Sequence, residues 1–108
     1  MFSQSGGASI AASVLNAHPE LWRGVVFKQS SPGSLKSSAD HSRARVLILM
    51  GTQDRSYETI RSQAQAAEKD GSLVKFVSLS GAGHTITYYP NAFAEQERQI
   101  VRFLADDL

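Results

Sequence analysis

Three residues of this sequence stand where their types and neighbours could carry acyl-transfer chemistry. The first is Ser5, within Ser3-Gln4-Ser5-Gly6-Gly7. Small residues two before and two after a serine let the chain turn sharply from a strand into a helix and lift the hydroxyl into the open. A helix N-terminus behind such a turn offers unpaired N–H groups and the positive end of a dipole. The N–H of Gly6 is therefore expected to face the oxyanion of an acyl intermediate. The second residue is Asp54, in Gly51-Thr52-Gln53-Asp54, directly after the apolar run from Val46 to Met50. A carboxylate fixed at a strand end can hold an imidazole in one tautomer and stabilise its charged form. The third is His84, in Gly81-Ala82-Gly83-His84, after another apolar run. A base that takes a proton from one oxygen and returns it to another is suited to a loop. Glu58 and Asp70 are poorer candidates for the acid, one inside a predicted helix and the other at its far end. His41 lies in a polar stretch without strand context. His18, before Pro19, reads as a surface turn residue, and Trp22 as packing.

The elements that must position these groups can be read from periodicity. Ala8 to Ala17 is small and apolar, with Ile10, Val14 and Leu15 at helical spacing, and Pro19 disfavours helix just before it. Gly24-Val25-Val26-Phe27 is a short buried strand, and Val46 to Met50 a second. Between them, Gln29 to Ser42 is rich in Ser, holds Pro32 and Gly33, and reads as a loop. Tyr57 to Lys69 is expected to be a helix with Ile60, Ala64 and Ala67 on one face, stopped by Asp70-Gly71. Leu73 to Leu79 is a third strand, with a Gly-rich turn from Ser80 to Gly83 after it. Phe93, Ile100, Val101 and Leu104 mark an amphipathic terminal helix. Short buried strands alternating with helices predict an α/β fold with a mostly parallel sheet covered on both faces.

Length and charge narrow the classes further. The 108 residues suit one domain. Eleven basic against ten acidic residues, a net charge of +1, leave no basic stripe, so nucleic acid is not expected as a partner. With no cysteine, disulfides, thiolate metal sites and a cysteine nucleophile are excluded. No apolar run approaches the ~20 residues that span a bilayer, and no signal peptide is visible. Localisation has no positive signal, and cytoplasmic is the default expectation.

Taken with the next twenty residues, the serine pentad resembles a known family. Ser5-Gly6-Gly7-Ala8, a small-residue helix, then His18-Pro19-Glu20-Leu21-Trp22-Arg23-Gly24-Val25-Val26 is similar to the nucleophile elbow and next strand of α/β-hydrolases. His18 lies thirteen positions after Ser5, which fits the family's spacing. Ser3 as nucleophile fits that spacing less well and would put Ser5 where the family has glycine. Ser3 itself stands where many members carry glycine. Gly51-Thr52-Gln53-Asp54 resembles the family's acid turn, and Gly81-Ala82-Gly83-His84 its base loop. The order Ser5, Asp54, His84 is the family's order.

The resemblance implies a serine hydrolase acting on a small ester, thioester or peptide through an acyl-serine intermediate, with no cofactor and no metal. The short spacings, which leave no room for an inserted lid domain, and Ser30-Ser31-Pro32-Gly33-Ser34-Leu35 resemble compact esterases. The Ser5-Gly6-Gly7 segment also resembles prolyl-oligopeptidase-type peptidases. Gln4 and Tyr88 are expected to face the substrate, and Tyr89 is a further candidate for the pocket wall, with packing the expected role of at least one tyrosine. The resemblance covers Ser3 to the terminal helix, so residues 1–108 are expected to form a single partial domain, the carboxyl-terminal part of the fold without its amino-terminal strands. The nucleophile strand would then be a stub of Met1 and Phe2 at an open sheet edge able to pair with another chain. A non-catalytic fragment, or a half-domain needing a partner, is the alternative.

Overall fold

A computed structural model describes residues 2–4, 14, 17–18, 22–30, 45–69, 71 and 73–107, with only the backbone of Ser3 and Gln4. Its centre is a four-stranded parallel sheet of β1 (Phe2–Gln4), β2 (Gly24–Lys28), β3 (Arg45–Gly51) and β4 (Leu73–Leu79), hydrogen-bonded in chain order. Side chains alternate across a strand, and the core divides accordingly. Val25, Phe27, Val46, Ile48 and Met50 face one layer, where Ile60 and Ala64 of helix α1 (Tyr57–Lys69) complete the cluster. Val26, Leu47, Leu49 and Leu79 face the other, against Ala92, Ile100 and Phe103. These belong to helix α2 (Pro90–Arg102) and the π-helical turn Phe103–Asp107 that continues it. Strand β3 is buried on both faces from Val46 to Gly51. That is why five consecutive apolar residues stand there instead of an alternating pattern.

Helix α1 and strand β4 occupy the predicted ranges. Gly71, at φ +92°, stands just after α1, and its N–H donates to the Glu68 carbonyl at 3.0 Å, a left-handed stop open to glycine at little cost. The Tyr57 ring stacks on Phe76 of β4 with centroids 5.7 Å apart, fixing the start of α1 over the sheet. Trp22 packs against the α1-side cluster, as its packing role requires.

Two expectations change. Strand β1 extends beyond Phe2 through Ser3 and Gln4, pairing Phe2 with Val26, Ser3 with Phe27 and Gln4 with Lys28. The terminal helix does not bury its largest apolar residues. Of Phe93, Ile100, Val101 and Leu104, only Ile100 is buried; Val101 is 64% exposed. The face turned to the sheet is Ala92, Gln96 and Ile100, continued by Phe103. Small Ala92 allows close approach, and Gln96 is held there by a hydrogen bond from Gln29. The predicted Ala8–Ala17 helix, apart from the helical Val14 and Ala17, and the loop beyond Ser30 lie outside the described residues, as does His41.

Candidate active site

In a parallel sheet all strands end at one edge, so the residues after β1, β2, β3 and β4 meet there. Asp54 lies three residues past β3 and His84 five past β4. The intervening loops are tied to each other. The Thr52 N–H donates to the Leu79 carbonyl at 3.1 Å and the Gln53 N–H to the Ala82 carbonyl at 2.8 Å. The Gly81 N–H returns a bond to Thr52 Oγ1 at 2.8 Å. Gly81, at φ +75°, turns the chain back over β3, a conformation most residues resist.

The clamp brings Asp54 and His84 together. His84 Nδ1 lies 2.7 Å from Asp54 Oδ2, with the Asp54 side chain 4% exposed and that of His84 53% exposed. An ionised carboxylate only accepts hydrogen bonds, so Nδ1 carries the proton and Nε2 is the basic nitrogen. The Ser56 N–H donates to Asp54 Oδ1 at 2.9 Å, an Asx turn that leads into α1. The Asp54 carbonyl accepts from the Tyr57 N–H at 3.0 Å. Both carboxylate oxygens thus have fixed donors, and the group has one orientation.

An open cleft beside the pair is lined by Ser30, Asp54, Ser56, Thr59, Gln63 and His84 among others. Ser30 is 4% exposed, and its Oγ has no hydrogen-bond partner among the described residues. An unpaired buried hydroxyl is uncommon in a folded protein and equips the cleft with a polar atom that can donate and accept. In the sequence Ser30 is one serine of a Ser-rich loop; its position two residues past a buried strand, at the edge that carries Asp54, is the signal that sets it apart.

Gln4 is the last residue of β1, at the strand edge that carries Asp54. Ser5 and Gly6 lie outside the described residues. Tyr88 belongs to the 3-10 turn Ile86–Tyr88, 79% exposed and outside the lining of the cleft. The Tyr89 hydroxyl lies over Gly83, where an added Cβ would sit 2.9 Å from Tyr89 Oη. Tyr89 is 38% exposed and its ring can swing outward. Gly83→Ala should therefore cost only about 1 kcal/mol, read as a small fall in the urea midpoint.

Comparison with known proteins gives a likeness of structure. No protein-family profile matches the chain, and no curated protein matches it. A putative dienelactone hydrolase from Klebsiella pneumoniae superposes with a TM-score of 0.70 at 20% identity, over 96% of this chain and 50% of that one. A predicted CIB-like hydrolase from Thermoplasma acidophilum gives 0.69 at 19%, over 95% and 48%. Carboxyl esterase 2 from Tuber melanosporum gives 0.67 at 13%, over 89% and 50%. The chain thus has the fold of part of these α/β-hydrolase structures and spans about half their length.

Proposed function

We propose that this chain contributes the catalytic residues of a serine hydrolase that cleaves a carboxylic ester through an acyl-Ser5 intermediate. The observation that carries the reading is the Asp54–His84 hydrogen bond, 2.7 Å long, at the strand edge toward which β1 leads into Ser5. In this reading His84 Nε2 takes the Ser5 proton as Oγ attacks the substrate carbonyl. It then returns that proton to the leaving alkoxide, and the acyl group stays on Ser5. Water, deprotonated by the same nitrogen, releases the acid and restores Ser5. Asp54 holds the tautomer and offsets the imidazolium charge. The Gly6 N–H donates to the oxyanion, and Gln4 faces the substrate, while Tyr88, outside the cleft lining, could meet it only at the rim. That the structural neighbours are esterases and hydrolases favours an ester over a thioester or a prolyl peptide.

The test is labelling with a fluorophosphonate probe. The unaltered protein should be labelled, and Ser5→Ala should lose at least about 99% of the signal, since that change removes the nucleophile itself. Labelling that persists in Ser5→Ala would overturn the reading.

A second reading is favoured by the sheet edge. Strand β1 has three residues and pairs only with β2 among the described residues, and Phe2 is 54% exposed. Such an edge can accept a further strand from another chain. In that case labelling would require the partner, and size-exclusion chromatography would show the 108-residue chain self-associating.

A further inference from the structure

Beyond the residues that do the chemistry, one side chain stands out by its backbone. Gln29 stands directly after β2 and has φ +52°, the left-handed region, while being 2% exposed. Among the described residues it is the only non-glycine with positive φ. A long side chain is rarely held there, and such outliers persist only where the surroundings enforce them.

The enforcement is visible. In a parallel ladder a residue donates its N–H to one carbonyl of the neighbouring strand and accepts from the amide two residues further on. The Gln29 N–H makes the first bond, to the Leu49 carbonyl at 2.9 Å. The second donor, the Gly51 N–H, is met by the side-chain Oε1 of Gln29 at 3.1 Å. The side chain has taken the place that its own carbonyl would hold in a regular strand. Its Nε2 donates to Oε1 of Gln96 at 3.3 Å, across 67 positions of sequence, and Gln96 is 1% exposed. Gln29 is thereby fixed between the sheet and α2.

We infer that Gln29 is a positioning residue for the Asp54–His84 pair, acting through the Gly51 N–H, with Gln96 as its anchor. Gly51 is the residue on which the acid turn hinges, because the Asp54 N–H donates to its carbonyl at 3.0 Å. Holding its amide sets the exit angle of β3 and so the place of the carboxylate. The same left-handed turn lets the chain leave the ladder at Gln29 and brings Ser30 into the cleft beside that carboxylate. The inference uses the proposed role of the pair, but its test reads the pair and not turnover.

The test is hydrogen exchange by NMR on the full 108-residue chain. In the unaltered protein the His84 Nδ1–H proton should be visible at low field, and the Gly51 amide protected. Two variants remove the acceptor in different ways. Gln29→Met keeps the volume, and Gln29→Asn keeps tolerance of positive φ while falling short of Gly51. Each should speed exchange of His84 Nδ1–H and of the Gly51 and Ser56 amides about tenfold. Amides in the middle of the β3–β4 ladder should change by less than about twofold, a selectivity that a general loss of stability would not give. Uniform acceleration of all these protons, or an unchanged His84 proton in either folded variant, overturns the inference. Should neither variant fold, a Gly51 amide in the unaltered protein that exchanges as fast as an exposed one overturns it equally, and a protected one supports it. Because no step requires an ester, failure of the proposed activity and failure of this inference are distinguishable.

Discussion

Under the proposed acyl-Ser5 mechanism, replacing Asp54 by asparagine should lower the rate of p-nitrophenyl ester hydrolysis by roughly 10⁴-fold while leaving the fold intact. The size of the effect comes from the two jobs of the carboxylate. Oδ1 accepts the Ser56 N–H at 2.9 Å and Oδ2 faces His84 Nδ1 at 2.7 Å. An asparagine keeps the Oδ1 acceptor, so the Asx turn and the start of α1 survive. In place of Oδ2 it presents an NH2 group, which can only donate. Nδ1 must then accept, the imidazole proton moves to Nε2, and the nitrogen that should deprotonate Ser5 is occupied. The amide also brings no charge to offset an imidazolium. Flipping the amide would restore the acceptor to His84 but set the NH2 against the Ser56 N–H, so the side chain cannot serve both partners. Steady-state kinetics measure the loss, and circular dichroism together with the urea midpoint check the fold. A decline of less than about tenfold in a well-folded Asp54→Asn protein would show that His84 does not depend on this carboxylate.

How far the site is legible in the sequence depends on the range of the interactions involved. Strand β3 and helix α1 are legible because burial and period are local: Val46–Met50 is uninterruptedly apolar, and Ile60 and Ala64 lie one helical turn apart. Asp54 and His84 are legible for a related reason, since each closes a short turn behind a recognisable strand. The terminal helix is legible as a helix but not in its orientation. Hydrophobicity points to Phe93, Val101 and Leu104, yet the sheet receives Gln96. A polar residue wins a buried position only if a partner waits there, and that partner, Gln29, is 67 positions away. No periodicity encodes such a pairing. Gln29 itself is hidden among the polar residues of a loop, and nothing in a single sequence marks a left-handed glutamine. The one local hint is the pair of polar residues, Gln29 and Ser30, directly after a buried strand at the edge where Asp54 stands.

The glycine before the acid turn should be the position least tolerant of change. A Cβ on Gly51 would lie 2.3 Å from the Ala82 carbonyl oxygen, 2.8 Å from its carbon and 2.9 Å from the Gly83 oxygen. All three atoms are backbone, so no side chain can swing aside, unlike Tyr89 over Gly83. Nor can the backbone retreat freely. The Ala82 oxygen accepts the Gln53 N–H at 2.8 Å, the Ala82 N–H is tied to the Leu79 carbonyl at 3.3 Å, and the Gly81 N–H to Thr52 Oγ1 at 2.8 Å. Moving Ala82 by the ångström that a methyl needs breaks at least the first of these. Gly51→Ala should therefore cost about 3 kcal/mol or more, a large share of the ~5–15 kcal/mol that holds a domain folded. Urea denaturation should show a correspondingly lower midpoint, or the variant should accumulate as insoluble protein. Function should fall further than stability. Ala82 lies two residues before His84, so a displaced loop carries the imidazole away from Asp54 even in molecules that fold. Two readouts resolve that separation: the urea midpoint reports the clash, and the low-field His84 Nδ1–H signal reports the pair. A Gly51→Ala protein with an unaltered midpoint and an intact signal would mean that the two loops are not packed as tightly as these distances require, and the shared support of Asp54 and His84 would have to lie elsewhere.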